Sequence, residues 1–229
     1  MTATGWLRSK ARRRPHPQRR PLPRMVAGAP TAAYELVGAP TGNCLRAAIA
    51  LEAAGIAYTV RRVDLGAGQQ RSARHLALNP AGKVPVLTDG APAPSFVLTQ
   101  SNAIMLFAAE RAPQLLMPGD AAQRARVHER YFQVLTDIIG PSHAAFRLDR
   151  GPARDALERM ALDGARQLEH ALEHAPYLAG RHFSLADIAG FTIVRSLSGL
   201  DLGTLPHTAA WLARVGALAP VCRGLAAFD

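Results

Sequence analysis

The sequence predicts an α/β domain followed by an all-helical domain. Three observations predict this. Between residues 34 and 112, short β-branched runs alternate with helical patterns. From residue 121 onward only helical periodicity remains. Between them, Pro113 and Pro118 punctuate a short linker at 113–120. A chain of 229 residues, 48% hydrophobic and 19% charged, has enough apolar surface for two such cores. No apolar run approaches the length of a membrane span, which excludes an integral helical membrane protein.

Taken in order, "YELVG" is a first short strand and "APTGN" has turn chemistry. "CLRAAIALEAAG" is strongly helical, with Gly55 at its end as a C-cap. "YTVRRVDL" is β-branched and predicts a second strand, and "SARHLALN" a short helix ending before Pro80. "VPVLTDG" and "SFVLT", joined by a Gly/Pro turn, predict an antiparallel hairpin. "SNAIMLFAAERA" is a helix that stops before Pro113. The order βαβ, α, ββα is that of a thioredoxin-like domain.

The second half holds four helical patterns. The first, "AAQRARVHERYFQVLTDIIG", is amphipathic and should break at Gly140–Pro141. The second repeats apolar residues at Leu157, Met160, Ala161, Gly164, Ala165, Leu168 and Leu172. "SLADIAGFTIVRSLSGL" is apolar nearly all round, as a helix at the centre of a bundle must be. "PHTAAWLARVGAL" closes the set.

The net charge of +10 belongs to one end of the chain. Residues 1–24 hold eight of the 27 Arg and Lys and no acid, so the body carries 19 bases against 17 acids. Residues 1–33 therefore predict a disordered basic extension rather than a nucleic-acid-binding body. Cys44 and Cys222 lie far apart, and without a secretory signal they imply a reducing compartment, the cytoplasm, and no disulfide framework. His170 and His174 stand i, i+4 on one helix, but no third ligand is evident, so no metal site is expected. Neither glycine spacing of a nucleotide-binding loop is present.

The stretch "LNPAGKVPVL" places Pro85 where a central strand should begin. A proline at a strand start is tolerated; an X-Pro bond can also be cis and leave the neighbouring backbone free to pair outside the protein. "FSLADIAGF" is a capping box, with Asp187 returning a hydrogen bond to Ser184.

Four stretches, "TGNCLRAAIALEAAGI", "NPAGKVPVL", "LTQSNAIMLF" and "FSLADIAGF", resemble in order and spacing those of the cytosolic glutathione transferases. The resemblance runs from about Tyr34 to the C-terminus. It implies a thioredoxin-like glutathione-binding domain at 34–112, the linker at 113–120 and an all-helical domain at 121–229. It further implies a cis bond at Pro85, with the Val84 backbone pairing with the cysteinyl part of glutathione. Ser101, at a helix N-terminus, and Gln100 beside it are implied to hold the γ-glutamyl end. Lys83 can reach the glycine carboxylate or be an exposed hinge lysine.

The catalytic turn offers Thr41 and Asn43, which match the Thr/Asn type found in some bacterial branches, as donors to the thiolate. Cys44 is either a nucleophile whose pKa the helix N-terminus lowers, or a small residue packed under the turn. Arg46 is either a neighbour of the glutathione carboxylates or a surface charge. The resemblance implies a homodimer that transfers glutathione to a small, apolar electrophile lying against the helix of Tyr131 and residues 143–147. The alternatives are a glutathione-dependent reductase or peroxidase acting through Cys44, and a non-catalytic binding module.

Overall fold

The computed structural model describes residues 34–229, so the expectations for residues 1–33 lie outside the described residues. Four strands form one sheet in the order β2-β1-β3-β4. Strand β1 (Tyr34–Gly38) runs parallel to β2 (Tyr58–Arg62), with Leu36 opposite Val60. Parallel neighbours need a crossover, and helix α1 (Gly42–Ala53) supplies it, ending at Gly55 in the left-handed region (φ 66°). The hairpin β3 (Val86–Thr88) and β4 (Val97–Thr99) completes the sheet, antiparallel throughout, with Leu87 between Leu36 and Leu98.

Short helix α2 (Ala73–Leu78) precedes the hairpin, and α3 (Ser101–Arg111) follows it. The stretch expected to be a linker carries a further four-residue helix, α4 (Pro113–Leu116), started by its proline. Its Leu116 is fully buried, so tertiary packing orders a segment whose local sequence reads as a loop.

The helical half consists of α5 (Ala121–Gln133), α6 (Gly140–Ala145), α7 (Pro152–Glu173), α8 (Leu185–Val194), α9 (Pro206–Gly216) and α10 (Ala219–Leu225). The expected break at Gly140–Pro141 does not occur. A π-helical turn, Val134–Ile139, joins α5 directly to α6. Proline in an α-helix removes one hydrogen bond and clashes with the carbonyl four residues back; the wider turn relieves that clash and keeps the chain helical. Gly164 lets α7 approach this turn, since a Cβ there would lie 2.6 Å from the Asp137 carbonyl oxygen. Met160, expected on the apolar face of α7, is 56% exposed, because the buried stripe begins only at Ala161.

Helix α8 is buried along its whole length, as its all-round apolar pattern requires. Asp187 anchors it. Its Oδ2 accepts from the Ser184 N–H and hydroxyl, and its Oδ1 accepts from the Leu178 N–H and the Trp211 indole, each at 2.9 Å. One apolar cluster runs from Leu36 and Leu87 in the sheet, through α1, to Ile188, Trp211 and Val215.

Helix α1 is the wall between the sheet and the helices, packed against α3, α8 and α10. Helix α10 was absent from the expected elements, yet it sits so close that a Cβ on Gly224 would meet the Ile49 Cα at 2.6 Å. Gly224→Val should therefore lower stability by about 2–3 kcal/mol through overpacking against backbone. A urea midpoint equal to wild type would show that α10 is free to move off α1.

Candidate active site

Three segments converge beside α1. The first is its own N-terminus. Thr41 is the N-cap, with its hydroxyl oxygen accepting from the Cys44 N–H at 3.4 Å. An N-cap leaves the remaining first-turn N–H groups without helical partners, and Asn43 lies among them, half-buried.

Cys44 turns the other way. It is fully buried, its sulfur accepts from the Ala39 N–H at 3.5 Å, and it lies 2.9 Å from where a Cβ on Gly38 would stand. Burial pushes its thiol above the ordinary 9.0, outweighing the hydrogen bonds with Ala39 and Thr41 and the charge of Arg46, which act in the opposite direction. Of the two readings open for Cys44, the geometry agrees with the small residue packed under the turn: the sulfur is inside, and burial raises its pKa where the nucleophile reading needed it lowered.

The second segment is the loop from Asn79 to Pro85. The Asn79 side chain accepts from the Ala81 N–H (3.2 Å) and donates to the Lys83 carbonyl (2.8 Å). His75 Nε2 reaches the same carbonyl at 3.0 Å. Gly82 takes φ 60°, a conformation glycine adopts without strain. The Val84–Pro85 bond is cis, and β3 begins at Val86, so Val84 stands just outside the ladder.

The third segment is the start of α3. Gln100 takes φ 72°, rare for a residue with a side chain, and Ser101 opens the helix with only 6% exposure. Strained backbone at the lip of a cavity is a common accompaniment of a binding site.

One small cavity is lined by Asn43, Lys83, Val84, Pro85, Gln100 and Ser101 together. Thr41 lines an adjoining cleft of about 640 Å³, which shares Asn43, Lys83 and Val84 with the cavity. Cys44 lines neither. The far wall comes from α6 and the residues around it: His143 and Arg147 line both spaces, and Phe146 lines the cleft. Tyr131, expected on that wall, is buried behind it, with its hydroxyl donating to the Asn102 carbonyl at 3.4 Å and its pKa raised by burial.

Of the two expected alternatives for Arg46, the surface charge is overturned. It is not on the surface: it is 1% exposed, and it lines both the cavity and the cleft. Its Nε and Nη1 have no hydrogen-bond partner. Burial pulls its pKa down to about 10, so it keeps its charge at neutral pH. His143, half-buried, is pushed below its usual value by burial and then by Arg46 and Arg147.

Asn79, Gln70 and Asn102 also line these spaces and were missed from sequence. The Gln70 Oε1 and Asn102 Oδ1 atoms are buried without partners. For Asn79 a signal existed, since Asn-Pro followed by Ala-Gly is Asx-turn chemistry. The other two show only through burial.

Outside this region, Glu173 supplies the third group that His170 and His174 lacked in sequence. Its Oε2 lies 3.5 Å from His170 Nδ1 and 3.9 Å from His174 Nε2, all three side chains exposed at the end of α7. Among the described residues no helix is long and apolar enough to cross a membrane.

The family model of the glutathione S-transferase N-terminal domain matches residues 32–110, and that of the C-terminal domain matches residues 150–219. The disulfide-bond oxidoreductase YfcG of Escherichia coli K12 is 30% identical over 191 residues, covering 79% of this chain and 89% of that protein. Human glutathione S-transferase theta-2 is 32% identical over 186 residues, covering 71% and 72%. Among solved structures, a Burkholderia graminis glutathione transferase with two glutathione molecules bound per subunit superposes with a TM-score of 0.72 at 29% identity, covering 85% of this chain and 88% of that one.

Proposed function

The chain belongs to the glutathione S-transferase family, and from that premise we propose that it binds glutathione in the small cavity and uses the bound thiolate as a nucleophile. One observation carries the reading: three separate stretches bring Asn43, Lys83, Val84, Pro85, Gln100 and Ser101 to one cavity. Val84 pairs through its backbone with the cysteinyl residue, as an added strand does. The γ-glutamyl carboxylate sits at Ser101 and Gln100, where the N-terminus of α3 favours an anion. Lys83 meets the glycine carboxylate.

Asn43 and Thr41 donate to the sulfur and so favour its charged form. The thiolate attacks an electrophilic carbon in the adjoining cleft. A carbon–sulfur bond forms, and the leaving group departs with its bonding pair; the proton lost from the thiol has already gone to water. Holding both reactants in adjoining spaces supplies proximity. We take the protein to act in the cytoplasm as a homodimer.

The E. coli relative's name favours a second reading of the same thiolate. Here it attacks a disulfide sulfur: one sulfur–sulfur bond breaks, another forms, and the displaced thiolate takes up a proton. This reading does not require Cys44.

The test is the ultraviolet difference absorbance of glutathione bound to the full chain, followed against pH. A group held by donors ionises below its free value, about 8.5 for a cysteine thiol. The thiolate signal should therefore be present at neutral pH and vanish only on acidification. Binding without that signal would leave a binding module, and absence of binding would end the glutathione reading.

A further inference from the structure

Arg46 poses a problem that glutathione alone does not solve. A buried cation is costly to desolvate unless an anion meets it, and the Arg46 Nε and Nη1 are unpaired. Among the described residues, no Asp or Glu lines the cavity or the cleft, while Arg46, Lys83, His143 and Arg147 line both. In the proposed pose the two glutathione carboxylates already have partners in Ser101 and Lys83. Arg46 remains, facing α6.

We infer that Arg46, with His143 and Arg147, forms a receptor for a carboxylate, so that the second substrate is an anion with an apolar body. The inference rests on the glutathione reading and names the substrate class of that site. The apolar body has its own wall in Phe146 and Ile193, which line the same cleft. Phe146 is 84% exposed, a large apolar side chain left open to a ligand. Arg147 is exposed, His143 half-buried and Arg46 buried, so the basic lining runs from the surface to the interior. Arg46 is the buried positive charge of this lining, and burial lowers the pKa of His143 beside it.

Two sources share this chemistry: a carboxylated electrophile, or a disulfide bearing a glutathionyl carboxylate. The test uses the full chain saturated with S-methylglutathione, so that no chemistry occurs. Equilibrium dialysis then compares a chloronitrobenzoate with its methyl ester, and glutathione disulfide with uncharged hydroxyethyl disulfide. The carboxylate of at least one pair should bind on the order of tenfold to a hundredfold more tightly, as expected for a charge-assisted hydrogen bond. The pair that shows the preference identifies the source.

Arg46→Met should abolish the preference while leaving the affinity for glutathione within about twofold. Arg147→Gln, a change on the exposed rim that folding tolerates, should reduce the preference. Equal binding within both pairs, or a preference that survives Arg46→Met, overturns the receptor. Loss of glutathione affinity in a folded Arg46→Met protein also overturns it, by giving Arg46 to glutathione. Failure of wild type to bind glutathione is a separate outcome: it ends the reading on which the receptor rests, and so the receptor's role in catalysis.

Discussion

Asn43→Ala should lower kcat/KM by about a hundredfold and move the thiolate titration of bound glutathione upward by about one pH unit or more. Removing one preorganised donor from a developing or resident anion typically lowers the rate by about 10²–10³-fold. Asn43 lines the cavity and the cleft both, at the first turn of α1, so it stands where the two spaces adjoin. Thr41→Ala should behave differently. The Thr41 hydroxyl already accepts from the Cys44 N–H as the cap of α1, so its loss removes about 1 kcal/mol of helix stability along with one donor. Measuring the thiolate titration and the urea midpoint in both variants separates the two contributions. An Asn43→Ala titration identical to wild type would remove Asn43 from the chemistry.

Asp187→Ala should lower folding stability by about 3–5 kcal/mol, a large share of what a domain possesses. Four donors point at this one carboxylate, from Leu178, Ser184 (twice) and Trp211. Truncation strands all four in a dry interior, and each unsatisfied group is worth about 1–3 kcal/mol. The urea midpoint reads the result directly. Without Asp187 the Trp211 indole and the turn before α8 lose their common anchor, so the variant should also show weakened protection of the α8 amides from exchange.

The same carboxyl gives a pH signature. Burial pushes Asp187 from the ordinary 3.8 up to about 6, against the pull of its four donors. Between those values the folded chain holds a proton that the unfolded chain has released. The stabilisation is therefore full below about pH 4 and lost as pH rises through about 6. Stability of wild type relative to Asp187→Asn, which cannot titrate, should fall across that window. A rise instead would mean that the four donors outweigh burial.

The element order was legible because each element carried a local signal. Strand β1 was a short run before turn chemistry, β2 a β-branched run, α1 and α8 apolar helices with caps, and the β3–β4 hairpin was joined by Gly and Pro. What escaped depends on tertiary context. Helix α10 is seven residues of mixed character, held by contact with α1 rather than by its own periodicity. The π-helical turn is invisible to any count based on a period of 3.6. In the site, the candidates came from motifs, and six of the eight line one cavity. For Arg46 the sequence left two places open, beside the glutathione carboxylates or on the surface. An arginine in a helix is ordinarily a surface residue, and only its burial without partners marks it out.

The join between α5 and α6 sets a rotational phase. In a regular α-helix each residue advances about 100°, so one residue absorbed by a wider turn re-aims everything downstream by that angle. His143 and Arg147 lie four apart just beyond Val134–Ile139 and both face the cleft. A continuous α-helix through the same residues would swing this pair to another bearing and leave Arg46 facing a different wall. Proline at 141 thus acts as a clocking device: by demanding a wider turn, it selects which face of α6 looks onto α1.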